Sequence, residues 1–150
     1  MLRELAGDDA PHLARLHAGA FQRGWSEDEF ESLLASSSSL GEGAAFSENG
    51  RLHAFVLTRL AGVEAEILSI VVEPSCRRQG IGRALLAGHL DRLRDLGVRE
   101  LFLEVEEGNA PALGFYHAFR FVTVGRRDAY YQRPQGRPGA ALVLRRDLDR

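Results

Sequence analysis

At 150 residues the chain is long enough for one domain with its own core, and 45% hydrophobic with 27% charged residues suits a globular protein. A net charge of −2 offers no electrostatic footprint for nucleic acid or an anionic membrane, and no apolar run approaches bilayer-spanning length. One cysteine, Cys76, excludes an internal disulfide framework and any multi-cysteine zinc site, and the complete absence of lysine removes every catalytic-lysine mechanism.

Leu2 to Leu5 is a short strand candidate. Asp8 or Asp9 can cap a helix with Pro11 in its first turn, with Leu13, Leu16, His17 and Ala20 along one face. Gly24 ends it, and Ser26 with Glu29 forms a capping box for a second helix that turns Phe30, Leu33 and Leu34 inward. The serine run 36–39 reads as a loop. Ala44 to Ser47 and His53 to Leu60 read as strands around the turn Glu48-Asn49-Gly50. A turn at Ala61-Gly62 leads into a long apolar strand that stops at Pro74.

A helix is predicted from about Gly80 to Leu96, its inward stripe Ile81, Leu85, Leu86, Leu90, Leu93 and Leu96, with Gly97 as the stop. Glu100 to Glu106 is the next strand. Asn109 caps a short helix with Pro111 in its first turn, ending near Phe119. Phe121 to Val124 and Ala140 to Leu144 close the chain as strands, around a polar loop at 132–139. The order predicts an α+β fold of about six to seven strands: a mixed, mostly antiparallel sheet with helices on both faces. A doubly wound dinucleotide fold is disfavoured, because Leu85 stands where its fingerprint needs Gly or Ala. A Walker motif and a Gly-x-Ser-x-Gly elbow are both missing from the sequence. With no secretory pattern after Met1, residence in the cytoplasm is expected.

The most telling stretch is the strand Glu66 to Val72, followed past Pro74 by Arg77-Arg78-Gln79-Gly80-Ile81-Gly82-Arg83-Ala84. A strand that feeds a glycine turn at a helix start is a ready anion site. Unpaired backbone N–H groups and the helix dipole converge there, and glycine lets phosphates approach the backbone.

That turn resembles the Arg/Gln-x-x-Gly-x-Gly/Ala signature of the GNAT superfamily of acyl-CoA-dependent N-acetyltransferases, and the element order is similar along essentially the whole chain. Within the superfamily it looks closest to the RimI branch, which acetylates the N-terminal alanine of a small-subunit ribosomal protein. Trp25-Ser26, Leu103-Glu104-Val105, Asn109-Ala110, Phe115-Tyr116, Arg126-Arg127 and Tyr130-Tyr131 carry that narrower likeness.

The resemblance implies acetyl-CoA as cosubstrate and no metal. Backbone groups of Ile70, Val71 and Val72 would pair with the pantetheine arm as an added strand, where the fold splays two neighbouring strands. Amides of Arg78, Gln79, Gly80, Ile81, Gly82 and Arg83 would wrap the pyrophosphate, with Arg77, Arg78 and Arg83 offering charge-assisted contacts. Asn109 would touch the pantetheine besides capping its helix. Glu104 would be the base, and Tyr116, beside the sulfur, the acid. Trp25, Tyr130 and Tyr131 could line the acceptor groove, and a role for Trp25 in seating the second helix is equally compatible. The acceptor would be a ribosomal protein N-terminus. A small-molecule amine or antibiotic is the alternative, and a non-catalytic acyl-CoA-binding domain a third reading.

Acetyl transfer from a thioester to an amine needs a neutral amine, donors for the developing oxyanion, and a proton for the leaving thiolate. An α-amino group with a pKa of about 8 is cheaply deprotonated, so a carboxylate acting directly or through water suffices as base. Strand alternation puts Glu104 on one face with Phe102 and Glu106, opposite Leu101, Leu103 and Val105. One departure stands out: Arg120 occupies the glycine position after the tyrosine helix, where a left-handed backbone is expected. The loop 132–139 also lacks the acidic pair associated with the RimI branch.

Overall fold

The computed structural model describes residues 2–20, 25–45, 51–77, 79–128 and 140–148. The elements run β1 (Leu2–Glu4), α1 (Ala10–Ala20), α2 (Glu27–Ala35), β2 (Ser39–Ala45), β3 (Leu52–Ala61) and β4 (Glu64–Val72). After these come α3 (Ile81–Asp95), β5 (Glu100–Glu106), α4 (Ala110–Ala118), β6 (Val122–Arg127) and β7 (Ala141–Asp147). The seven strands form one sheet in the order β1-β2-β3-β4-β5-β7-β6. Every neighbouring pair is antiparallel except β4 and β5, which are joined in parallel through the α3 crossover.

Two apolar clusters cover the two faces. Leu85, Leu86, Leu90 and Leu93 of α3 and Tyr116 of α4 pack with Ile67, Leu101, Leu103 and Val105 on one side. Leu13, Leu16 and Phe30 of α1 and α2 pack with Phe55, Leu57 and Val71 on the other. The expected α+β layering, a mixed and mostly antiparallel sheet between helices, is what the chain adopts.

Local signals predicted the helix ends well. Ser26 accepts from the Glu29 amide at 3.1 Å, while the Glu29 carboxylate accepts from the Ser26 amide at 3.2 Å, completing the capping box. Asn109 accepts from the Ala112 amide at 3.2 Å, and Gly97 follows α3 with φ +89°. Strand extents differ more. β2 begins at Ser39 rather than Ala44, because the glycine-rich segment 41–43 pairs with β3 and leaves room for Leu5 and Leu52 to lie across it. β6 and β7 run on to Arg127 and Asp147, their polar ends held by the ladder and not by an apolar pattern. Leu96, expected to face inward, is 53% exposed at the end of α3, while the unpredicted His89 is fully buried. The expected turn at Glu48-Asn49-Gly50 and the break at Gly24 lie outside the described residues.

Candidate active site

The β4–β5 ladder is short. It pairs Glu64 with Glu100 through Ile67 with Leu103 and goes no further. At that point β4 carries a bulge: Leu57 pairs with Ser69 and Thr58 with Ile67, so Leu68 is an extra residue. Such a bulge bends the strand. β5 continues alongside β7 from Glu104 to Glu106, and β4 continues alongside β3 from Ile70 to Val72, so the two strands part. Among the described residues no strand covers the β5-facing edge of Ile70, Val71 and Val72. Beside the bulge, the buried Ser69 Oγ has no hydrogen-bond partner among the described residues.

Beyond β4 the chain makes a short 3-10 turn, Pro74–Cys76, and enters α3 through Gly80. Gly80 is the N-cap, at φ 77° and ψ 9°, and it provides no side-chain cap. That left-handed backbone favours glycine and leaves the first amides of α3 without a side-chain acceptor. Arg77 turns back, its Nε donating to the Val72 carbonyl at 3.2 Å, and Gln79 Nε2 donates to the Ser75 carbonyl at 3.5 Å. Ile81 is buried in the core, whereas the Arg83 side chain is exposed. Arg78 lies outside the described residues. An open strand edge, an uncapped helix start with a left-handed glycine, and an orphaned hydroxyl at the bulge fit an extended thioester cofactor with an anionic end.

Glu104 is the first β5 residue past the last β4 pairing, on the face opposite Leu103 and Val105. Its Oε1 lies 3.3 Å from Arg127 Nε, a cross-sheet ion pair that the shared strand face with Glu106 did not suggest. Glu104 and Arg127 border a hollow of about 310 Å³, together with Arg59, Glu64, Glu66 and Phe102. A second hollow of about 530 Å³ adjoins Trp25, Asp28, Glu29, Leu33 and Leu68, and Arg59 lines both.

Tyr116 sits in the opposite cluster, on α4, with its ring edge-on to Phe115 at 5.3 Å and to Phe121 at 5.6 Å. It is 8% exposed, and burial pushes its phenol up to about 12. Its hydroxyl makes no hydrogen bond among the described residues. Glu104 and Tyr116 therefore belong to opposite faces of the sheet, on either side of the gap between β4 and β5.

Trp25 is packed against α1 and α2 and also borders the larger hollow. Its backbone N–H donates to His17 Nδ1 at 3.0 Å, and its indole stacks on that imidazole at 4.6 Å. It also packs on Phe30 at 5.5 Å while lining the larger hollow. Burial lowers the His17 pKa, in keeping with a ring nitrogen that accepts from an amide. Tyr130 and Tyr131 lie outside the described residues. Arg59 and Glu66 were missed by the sequence reading. They pair across β3 and β4 at 3.2 Å, and only strand register brings them to the hollow.

Known proteins resemble the chain in sequence and in fold. Residues 10–121 match the acetyltransferase (GNAT) family model. The chain is 33% identical over 145 residues to the ribosomal protein bS18-alanine N-acetyltransferase of Escherichia coli strain K12, covering 95% of this chain and 94% of that one. The crystal structure of the ribosomal-protein-S18-alanine N-acetyltransferase from Escherichia coli superposes with a TM-score of 0.89 and 31% identity, over 100% of this chain and 94% of that one. Arabidopsis thaliana NAA60 in complex with acetyl-CoA shares the fold, with a TM-score of 0.83 at 17% identity over 98% and 97% of the two chains. An edge left open between β4 and β5, an uncapped α3 and a match spanning both place the chain in the GNAT family of acetyl-CoA-dependent N-acetyltransferases.

Proposed function

We propose that the chain transfers acetyl from acetyl-CoA to the α-amino group of a protein N-terminus, the N-terminal alanine of ribosomal protein bS18. The observation that carries this reading is the end of the β4–β5 ladder at Ile67 and Leu103, with Glu104 at one side of the opening and Tyr116 at the other. The similarity to the Escherichia coli enzyme over 95% of the chain supports the acceptor.

When bound, acetyl-CoA supplies the activated acyl group. The chain's own residues do the rest. The edge of Ile70 to Val72 holds an extended arm by strand-like hydrogen bonds and offers amide donors to the thioester carbonyl as it gains charge. Amides from Arg78 to Arg83, with the α3 dipole, hold the diphosphate, helped by Arg77, Arg78 and Arg83. Asn109 fixes the start of α4 and reaches the arm. Glu104 takes the ammonium proton, directly or through a water. An α-amino pKa of about 8 makes that step cheap. Tyr116 keeps its proton until the C–S bond breaks, then gives it to the departing sulfur, while the attacking nitrogen loses its second proton to water as the amide forms. Trp25, Tyr130 and Tyr131 wall the acceptor side. The transfer needs no metal, and it belongs in the cytoplasm, where its acceptor is made.

A second reading rests on the smaller hollow, where Glu64, Glu66 and Glu104 could welcome a compact cationic amine. An acetyl-CoA turnover assay separates the two. A peptide copying the bS18 N-terminus should outcompete a panel of small amines, and removing its free α-amino group should abolish turnover. Faster turnover with a small amine would overturn the peptide acceptor and leave the family assignment intact.

A further inference from the structure

We propose that His53, Glu73 and Cys76 form a binding site for a thiophilic divalent cation of the Zn²⁺ type, at the root of the turn that leads into α3. The three donor atoms (an imidazole nitrogen, a carboxylate oxygen and a sulfur) all lie within 4.8 Å of one another. His53 Nδ1 is 2.7 Å from Glu73 Oε2, and Cys76 Sγ is 3.8 Å from the same oxygen. A mixed N, O and S set selects zinc-like ions over magnesium or calcium.

The backbone holds these groups in place. The Glu73 amide donates to the His53 carbonyl at 2.7 Å, extending the β3–β4 ladder past its last pair. The Cys76 amide donates to the Glu73 carbonyl at 2.8 Å, folding the Pro74–Cys76 turn back over the carboxylate. Arg51 Nη2 occupies the other carboxylate oxygen, Oε1, at 2.8 Å, which leaves Oε2 as the single donor from Glu73. The hydrogen bond from His53, and Arg51 after it, hold the Glu73 carboxyl below the ordinary carboxylate range, so it is an anion at neutral pH.

The fit is close. Tetrahedral zinc, with bonds of about 2.0–2.1 Å to N and O and 2.3 Å to S, spaces its donors roughly 3.3–3.6 Å apart. A cation would open the 2.7 Å contact by about 0.6 Å and draw the sulfur in from within the 4.8 Å that spans the three donors, movements that side-chain torsions can supply. His53 and Glu73 side chains are 18% and 19% exposed, so the pair is not sealed from solvent, and water would complete a tetrahedral set. A bound cation would take Cys76 as its thiolate, the thiol proton leaving to solvent.

Cys76 is the chain's single cysteine, which makes the test clean. Co²⁺ is titrated into the reduced, chelator-treated protein while the near-ultraviolet thiolate-to-cobalt band and the visible ligand-field bands are recorded. Zn²⁺ is then used to displace it. The site predicts saturation at one Co²⁺ per chain. The charge-transfer band should vanish in Cys76→Ser, and Zn²⁺ affinity should fall at least about tenfold in Cys76→Ser and in His53→Gln. Both variants keep the bulk of the side chain, and circular dichroism confirms their folding. Absence of the band at equimolar Co²⁺, or Zn²⁺ affinity unchanged in folded Cys76→Ser or His53→Gln, would overturn the proposal.

Discussion

Replacing Tyr116 with phenylalanine separates its proton from its bulk. Burial raises the phenol from 10.0 to about 12, a preference of roughly 2.7 kcal/mol for the neutral form. At pH 8 only about one chain in ten thousand carries the phenolate, so the hydroxyl is available as a donor throughout the working range. Because that hydroxyl makes no hydrogen bond among the described residues, Tyr116→Phe should cost little stability, about 1 kcal/mol or less. It should nevertheless lower kcat by roughly 10²–10⁴-fold at saturating acetyl-CoA, the usual worth of a positioned acid. Thiol release measured against pH is the assay. A second readout comes from the sign of the linkage. The folded pKa exceeds the unfolded one, so the native state holds this proton more tightly. Its contribution is whole below pH 10 and is lost as pH rises through 12, by up to about 2.7 kcal/mol. Urea unfolding should show that decline in the parent and a shallower one in the phenylalanine variant. A variant within about threefold of the parent kcat would refute the acid role. Equal alkaline slopes in the two proteins would refute the buried, neutral phenol.

The remaining tests address the base, the buried polar chain and the helix end. Glu104→Gln should reduce kcat by roughly 10²–10⁴-fold with KM for acetyl-CoA little changed, and raising the pH should restore part of the loss as the amine deprotonates itself. Losing the exposed Arg127 ion pair should cost less than about 1 kcal/mol, so an unfolded variant would speak against this account. His89→Leu should destabilise by about 3 kcal/mol or more in thermal unfolding. It strands Glu42 Oε1 and Thr58 Oγ1, each 2.7 Å from the imidazole and buried. A combined Glu42→Leu and His89→Leu variant should recover much of that loss, and strict additivity would argue against a coupled pair. Arg120→Gly should raise stability by about 0.5–1 kcal/mol in urea unfolding, since Arg120 sits at φ 66° and glycine relieves more strain than its entropy costs.

What could be read from the chain and what could not divides by range. Ser26 with Glu29, Asn109 with Pro111, and Gly97 are local signals, each completed within four residues, and each marks a helix end in the structure. Arg120 was legible for the same reason: the left-handed position follows from where α4 stops. The direction of Glu104 followed from a period of two. Its pairing with Arg127 did not, because β5 and β6 meet that hollow only across β7. His89 looked like a polar interruption in the α3 stripe. It is buried because Glu42 of β2 and Thr58 of β3 satisfy both ring nitrogens, a match drawn from three elements spread over 47 residues. The glycine-rich start of β2 read as loop, since nothing local reveals that Leu5 and Leu52 need the space above it.

The bulge in β4 explains why the opening falls where it does. With uninterrupted alternation, Ile67 and Val71 would share a face, being four residues apart. Instead Ile67 joins the cluster under α3 and α4, while Val71 joins the one under α1 and α2. Leu68 is the residue that switches them. A near-continuous apolar run hides such a switch, because either face accepts either side chain. Without the switch, β4 would keep pairing with β5 beyond Leu103, and an unbroken ladder would seal Glu104 from the Tyr116 side. The extra residue lets one strand serve both cores and still turn away from its parallel neighbour. Thr58, opposite the bulge, is tied through His89 to α3, the helix that starts at Gly80 and that the proposed function assigns to the ligand's anionic end. The bend that opens the strand edge and the helix that presents the amides are thus referenced to one buried contact. Under the proposed function, thioester and diphosphate positions are therefore set together.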